Sequence, residues 1–143
     1  MHLDAKDKQI LNQLNKNSRL SMRELGRIVE MSSPAVTERI KQMESFGVIK
    51  GYDLQIDYEK AGYPVSCIIE ATVKNGQYEL FKKRIGKLTN VEYCHRIAGQ
   101  ACYIMKLHFE GLSEIEGFIN NFSDLAQTVT HVIFSSVETN QKL

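Results

Sequence analysis

Apolar residues recur at helical spacing along the first third of the chain, and this periodicity predicts three short helices. The first is predicted over residues 4–15, with an acidic residue as its N-cap. The second, over residues 22–29, starts within Ser21-Met22-Arg23-Glu24, which has the composition of a capping box. The third is expected to begin at Ser33 as N-cap, with Pro34 at the first helical position.

The third helix has two different faces. Val36, Ile40 and Met43 form an apolar stripe, and the other side carries hydroxyl, amide and cationic groups. Two short helices joined by the turn Met31-Ser32 are typical of a helix-turn-helix, in which the second helix enters the major groove of DNA. Gly26, inside the second helix, would be explained by a close approach of a neighbouring helix, and a tolerated glycine without such a role is the alternative. A plain solvated face is the alternative, and the arrangement of the helices favours DNA.

Apolar and polar residues alternate from Val48 to Asp57, and this pattern predicts a short strand or hairpin. Such a hairpin after the third helix would be the wing of a winged helix-turn-helix. The polar stretch from Asp57 to Gly62 predicts a linker. We therefore expect a DNA-binding domain over residues 1–57, with wing and linker at 48–62, and a second domain over residues 63–143.

The second domain has the pattern strand, helix, strand, strand, helix, strand, which is typical of a ferredoxin-like βαββαβ domain. The predicted fold class is therefore α+β. Gly99-Gln100 is expected to form the turn of the central hairpin, and the last strand to run from Thr128 to Val137. Apolar residues lie on both faces of the strands, whereas two helices can cover only one face. The uncovered face predicts contact with a second copy of the chain, through Ile68, Ile104, Val132 and Phe134.

Net charge, the length of apolar runs and the spacing of the cysteines limit the classes of protein to which the chain can belong. The net charge of +1 over 143 residues predicts that one copy binds DNA weakly and that several copies act together. The absence of a long apolar run and of a basic-then-apolar leader predicts a cytoplasmic, nucleoid-associated protein with no membrane partner. Cys67, Cys94 and Cys102 lie in apolar runs without C-x-x-C spacing, which indicates buried reduced thiols. We expect no metal and no cofactor.

Candidate DNA contacts cluster around the third helix. Contact with base edges or the groove is expected from Ser33, Thr37, Glu38 and Lys41. Phosphate contact is expected from Ser21, Arg23, Arg39 and Lys50. Ser32 and Pro34, at the start of the helix, complete the predicted interface. For Arg39, a salt bridge within the domain is the alternative.

With these motifs in place, the chain resembles the Lrp/AsnC (feast/famine) family of bacterial and archaeal transcription regulators, in particular its short LrpC-like members. The resemblance covers the whole length and rests on the order of the N-terminal motifs. These are Leu3-Asp4 with Asp7 and Ile10-Leu11, Ser18 to Ser21 with Glu24-Leu25, Ser32 to Ile40, and Met43-Glu44 with Gly47 to Ile49.

The resemblance implies a dimer formed through the C-terminal sheets, further assembly into a tetramer or octamer, and a small effector near the central hairpin, often an amino acid. The corresponding residues here are Gly99, Gln100, Ala101, Cys102 and Tyr103. The family commonly has an aspartate where this chain has Cys102. That carboxylate would be a natural partner for the ammonium group of an amino acid. Response to an amino acid, response to a different ligand, and absence of a ligand therefore all remain open.

Two other functions remain open. An architectural protein would wrap or bend DNA through a ring of subunits and read its shape more than its bases. An enzyme is the remote alternative, because similar folds occur in siroheme decarboxylases and because His95, Arg96, His108 and His131 can titrate. Strand alternation places His95 and His131 on one side and Arg96 on the other, and no spacing fixes an acid–base couple. We therefore expect that the protein is not an enzyme.

Overall fold

The computed structural model describes residues 1–143, which divide into two compact units. One unit comprises residues 1–55 together with 138–143, and the other comprises residues 56–137. Each has its own core of buried side chains. None of the helices is both long enough and apolar enough to span a bilayer.

Three helices form the N-terminal unit, namely α1 (Ala5–Lys16), α2 (Met22–Val29) and α3 (Ser33–Ser45). All three contribute to one core, in which Ile10, Leu25 and Val36 are fully buried. Burial of each such side chain stabilises the fold by about 1.5–3 kcal/mol. The predicted apolar stripe of the third helix is therefore confirmed as its core-facing side.

Reciprocal side-chain hydrogen bonds fix where α1 and α2 begin. The Asp7 N–H donates to Asp4 Oδ1 at 2.8 Å, and the Asp4 N–H donates to Asp7 Oδ2 at 3.0 Å. At α2 the Glu24 N–H donates to Ser21 Oγ at 3.1 Å, and the Ser21 N–H donates to Glu24 Oε2 at 2.8 Å. These carboxylates satisfy backbone donors that a helix leaves free at its start. The predicted capping box at Ser21 is confirmed.

The third helix starts one residue earlier than the sequence predicted. Ser32 is the N-cap, because its backbone is extended and its Oγ accepts a hydrogen bond from the Ala35 N–H at 3.4 Å. Ser33 is the first helical residue and Pro34 the second. Proline fits either place, since neither of the first two helical N–H groups has a partner within the helix.

The predicted wing does not form. The Val48 and Ile49 N–H groups both donate to the Met43 carbonyl, at 2.8 and 3.1 Å, and so close the end of α3. Residues 50–57 contain no strand, and Tyr52, Leu54 and Ile56 are exposed. Alternating residues favour an extended backbone, but a strand also needs a neighbour with which to exchange hydrogen bonds. No strand of this chain pairs with the segment.

The second unit is a four-stranded antiparallel sheet with two helices in the predicted βαββαβ order. The elements are β1 (Val65–Val73), α4 (Tyr78–Gly86), β2 (Val91–Arg96), β3 (Tyr103–Phe109), α5 (Leu112–Phe122) and β4 (Ala126–Val132). The strands lie in the order β2-β3-β1-β4, and all neighbours are antiparallel. The prediction of an α+β fold with a ferredoxin-like second domain is confirmed.

Two predicted details of the sheet are wrong. The central hairpin has a loop of residues 97–102, closed by the Ile97 N–H donating to the Cys102 carbonyl at 3.0 Å. A tight two-residue turn favours a positive φ, and neither Gly99 nor Gln100 has one. The strand β4 ends at Val132, because that residue already pairs with Cys67 close to the start of β1.

One face of the sheet is covered by α4 and α5, and its residues include Ile69, Met105 and Leu107 in the core. We call the other side the open face. The register of the strands assigns to it Ser66, Ile68, Glu70, Thr72, Tyr93, His95, Ile104, Lys106, His108, Val129 and His131.

The open face includes only two of the four predicted interface residues, Ile68 and Ile104. Val132 pairs with Cys67, whose side chain is in the core, so Val132 points to the helix-covered side. Phe134 lies beyond β4 and is 98% exposed. The prediction failed here because both alternating sets of the strand are apolar, so that a period of two residues cannot identify the outer one. Val129 occupies the open face instead.

Candidate nucleic-acid interface

The turn between α2 and α3 is tight. The Met31 N–H donates to the Gly26 carbonyl at 2.8 Å, and Glu30 between them is left-handed with a φ of 56°. A Cβ on Gly26 would lie 2.6 Å from the Met31 carbonyl oxygen, closer than real atoms allow. The close approach that would explain Gly26 is therefore real, but its other member is the turn itself. Absence of a side chain here lets α3 follow α2 directly.

The first half of α3 presents polar groups on the side opposite the core. Ser32, Pro34, Glu38 and Lys41 are exposed, and Ser33 is half-buried. Pro34, Glu38 and Lys41 are separated by four and three residues, so they form one row along the helix. The structure therefore places Glu38 and Lys41, two of the four predicted groove contacts, on one exposed row with Pro34.

Two of the predicted groove contacts already make hydrogen bonds along α3. The half-buried Thr37 donates its hydroxyl to the Ser33 carbonyl at 2.8 Å, so that only its oxygen lone pairs and methyl group remain for a ligand. Glu38 accepts a hydrogen bond from Gln42 at 3.2 Å. Lys41, by contrast, makes neither an ion pair nor a side-chain hydrogen bond, so its charge is free.

Arg39 is not free. Its Nη1 lies 2.7 Å from Asp4 Oδ2 and 2.7 Å from Asp7 Oδ1. These hydrogen bonds, with Asp4 first and Asp7 second, raise the pKa of the Arg39 guanidinium. The pKa of Asp4 is lowered, mainly by the hydrogen bond from the Asp7 backbone and then by Arg39. The salt bridge within the domain, which was the alternative for Arg39, is therefore the arrangement found.

The other predicted phosphate contacts lie outside α3. Arg23, in the first turn of α2, is exposed and makes no ion pair. Ser21 is exposed, and its hydroxyl oxygen accepts from Glu24 while the O–H remains able to donate. Lys50 is exposed on the extended segment after α3, since the wing that was expected to carry it is absent.

The predicted effector loop is only partly accessible. Gly99 and Gln100 are exposed and Cys102 is half-buried, whereas Ala101 and Tyr103 are buried. The Tyr103 ring packs against Phe81 with the centroids 4.8 Å apart, so it belongs to the core. The Cys102 thiol lies 3.8 Å from the Tyr78 hydroxyl, and the Arg96 guanidinium lies 4.3 Å above the Tyr78 ring.

His95 and His131 lie on the open face and Arg96 points to the other side, as predicted, and His108 also lies on the open face. His108 is buried, and both of its ring nitrogens have partners, Ser66 Oγ at 2.7 Å and Glu92 Oε2 at 2.5 Å. Tyr58 stacks on its ring with the centroids 3.5 Å apart. Nowhere do three or more histidine, cysteine, aspartate or glutamate side chains form a group that could hold a metal ion.

Comparison with known proteins agrees with both units. Residues 3–44 match the AsnC-type helix-turn-helix domain, and residues 66–143 match the Lrp/AsnC ligand-binding domain. The chain is 58% identical over 139 residues to the HTH-type transcriptional regulator LrpC of Bacillus subtilis, covering 97% of this chain and 96% of that protein. It is 30% identical to LrpB of the same organism, covering 99% and 93%.

Solved structures agree as well. The structure of B. subtilis LrpC superposes with a TM-score of 0.94, covering 97% of this chain and 99% of that one. A transcriptional regulator of Neisseria meningitidis, solved as a complex with L-methionine, superposes with a TM-score of 0.90 at 22% identity, over 99% and 96% of the two chains, and shows the shared fold. With an N-terminal DNA-binding domain and a C-terminal ligand-binding domain, the chain belongs to the Lrp/AsnC family of transcriptional regulators.

Proposed function

We propose that the protein regulates transcription as a symmetric dimer, or a larger assembly of dimers, that places copies of α3 in successive major grooves of DNA at the nucleoid. The observation that carries this proposal is the exposed row of Pro34, Glu38 and Lys41 on a helix whose opposite side is buried. A two-fold axis requires palindromic or phased sites, with half-sites about 34 Å apart or a multiple of that.

Within this proposal the contacts divide by chemistry. Base edges or the groove are read by Ser32, Ser33, Pro34, Thr37, Glu38 and Lys41. Phosphates are bound by Ser21, Arg23 and Lys50, which are all exposed. Phosphate contacts fix the position of a protein on DNA, and base contacts determine which sequence it prefers. The net charge of one copy is only +1, which is the reason for proposing that several copies act together.

The open face supports the proposed dimer. Ile68 and Ile104 are half-buried on it, and Val129 is 52% exposed. Apolar groups on a sheet face that no helix covers are stabilised by a second copy, and a two-fold axis places the same face on both sides of the contact. Further assembly into a tetramer or octamer remains part of the proposal.

We also propose that a small effector binds near the loop of residues 97–102. The complex of the N. meningitidis regulator with L-methionine supports an amino acid, whereas the thiol of Cys102 supplies no charge to pair with an ammonium group. Selection of DNA from a random library, with and without a panel of amino acids, tests this directly. A change in the selected sequences or in affinity identifies an effector, and no change across the panel contradicts an amino acid effector.

Charge reversal at Lys41 tests the DNA-reading surface. Lys41→Glu should weaken binding to the selected DNA by at least about tenfold, because it removes a free cation and introduces a charge that phosphate repels. A gel-shift titration measures the affinity, and sedimentation shows that assembly is intact. The matched control is Lys8→Glu, an equal charge change at an exposed, unpaired lysine of α1. Equal binding by both variants would remove Lys41 from the interface.

An architectural role is the second candidate, because an assembly of several copies could also wrap or bend DNA by reading its shape. Footprinting separates the two functions. Long, phased protection with little preference for sequence indicates wrapping, and one compact palindrome indicates a specific regulator.

A further inference from the structure

We propose that Arg39 is a positioning residue for DNA recognition, which orients α3 against α1 without touching the DNA. The inference rests on the proposed function, since it requires that α3 reads DNA. It assigns to Arg39 a role that differs from those of its neighbours Glu38 and Lys41 on the exposed row.

The geometry is that of a clamp. Each aspartate uses one carboxylate oxygen for the capping box of α1, and its other oxygen accepts from Arg39 Nη1. Both carboxylates are therefore already fixed by backbone hydrogen bonds before the guanidinium binds them. A single nitrogen of α3 is thereby held at the start of α1 by two charge-assisted hydrogen bonds, the strong class of hydrogen bond in proteins.

The clamp is costly to break because it is partly buried, and it is directional because it consists of hydrogen bonds. The side chain of Asp7 is 5% exposed, that of Arg39 30% and that of Asp4 52%. Without Arg39, the Asp7 carboxylate would remain buried without an opposite charge, which is unfavourable. The apolar contacts of Val36 and Ile40 hold α3 on the core but are not directional. The hydrogen bonds of Arg39 are directional, so they fix the rotation of α3 about its own axis.

The charge of the cluster argues against a phosphate role for Arg39. One guanidinium and two carboxylates give the cluster a net charge of −1, and Asp4 is its most exposed member. A phosphate approaching this cluster meets a negative field, whereas Lys41 offers an unpaired positive charge. Arg39 therefore contributes the orientation of the helix, and Lys41 contributes the attraction of DNA.

The test compares two DNA probes over a series of salt concentrations, with variants kept well below their melting temperature and checked by circular dichroism. One probe is the DNA that the wild type selects from a random library, and the other is poly(dI-dC). Arg39→Met should weaken binding to the selected DNA on the order of tenfold, the value of one base contact. Binding to poly(dI-dC), which depends on charge, should change by less than about twofold, and the salt slope should stay constant.

Four further variants serve as controls. In Arg39→Met with Asp4→Asn the cluster keeps its charge of −1 and an equally good N-cap, so the same loss of preference is expected. Arg39→Lys should restore most of the preference, because one ammonium nitrogen can contact both carboxylates. Arg23→Gln, at an exposed residue proposed to bind phosphate, should reduce the salt slope by about 0.9. Arg84→Met removes an arginine that binds Asp124 at 2.8 and 2.9 Å in the other unit and should change neither affinity.

Three outcomes overturn the inference. Equal weakening on both probes with a smaller salt slope makes Arg39 a phosphate contact. Equal weakening of binding to both probes, in proportion to the unfolded fraction of the variant, means that Arg39 contributes only to stability. Unchanged affinity on both probes means that it positions nothing. If Arg39→Met does not fold, Arg39→Lys is measured in its place. A partial loss of its preference for the selected DNA then supports the inference. A wild type that selects no sequence would refute the proposed function itself, and that result needs no variant.

Discussion

Gly26 is the residue on which the turn of the helix-turn-helix depends most directly. Gly26→Ala should destabilise the N-terminal unit by about 1–3 kcal/mol, the usual cost of overpacking, because the new Cβ would lie 2.6 Å from the Met31 carbonyl oxygen. Urea unfolding followed by circular dichroism measures this loss.

Gly117→Ala in α5 is the matched control, since a Cβ there has nothing within 4 Å. That change should stabilise the protein by about 0.5–1 kcal/mol, as alanine usually does in a helix. A Gly26→Ala protein as stable as the wild type would show that the turn can open at no cost, contrary to the geometry.

At this scale the sequence predicts what is local and misses what is distant. The capping box at Ser21 could be predicted because its two members are three residues apart. The partners of Arg39 could not, because Asp4 and Asp7 are 35 and 32 residues away in the chain. Only the packing of α1 against α3 brings these side chains together. Lys41 and Arg39 were both predicted to contact DNA. The structure leaves the charge of Lys41 unpaired, whereas Arg39 is paired with Asp4 and Asp7.

Among the elements, α1 begins at a residue whose ionisation contributes to stability. The hydrogen bond from the Asp7 backbone, and then Arg39, lower the pKa of Asp4 in the folded chain. A carboxyl with a lowered folded-state pKa stabilises the fold above its unfolded pKa, and this stabilisation is lost as the pH falls through the folded pKa. Stability should therefore decrease on acidification below about pH 4, the usual pKa of aspartate.

Asp4→Asn tests this dependence, because asparagine is an equally good N-cap but has no charge to lose. At neutral pH the free energy of unfolding in urea should be lower for the variant than for the wild type. This difference should shrink in acid. Asp53→Asn is the control, since Asp53 is exposed and makes no hydrogen bond or ion pair. A difference that stays constant with pH would exclude ionisation of Asp4 as the cause.

The elements themselves were predictable wherever periodicity has one solution. Helices α1 to α3 and the order of the second unit follow from apolar spacing. The wing failed because alternation from Val48 to Asp57 predicts an extended backbone but cannot supply a neighbouring strand. The prediction of which β4 residue lies on the open face was wrong because Val129 and Val132 are equally apolar. Only the pairing with β1 shows that Val129 lies there.

For the whole molecule, the open face is where assembly should be sensitive to substitution. Val129→Lys should convert the proposed dimer to monomers, because a charged side chain would be buried against the second copy. The same side chain is half-exposed in one copy, so the monomer should remain folded. Sedimentation equilibrium measures the mass. Leu112→Lys, on the exposed side of α5, is the control and should leave the mass unchanged.

The unpaired segment of residues 50–57 has a consequence for how such a chain can be recombined. None of its side chains belongs to either hydrophobic core, and the two cores share no residue. A junction made within this segment would therefore leave the hydrophobic core of each half intact. A different DNA-reading half could be joined there to the same assembly half, which would give a chimera with a new operator and the old partner.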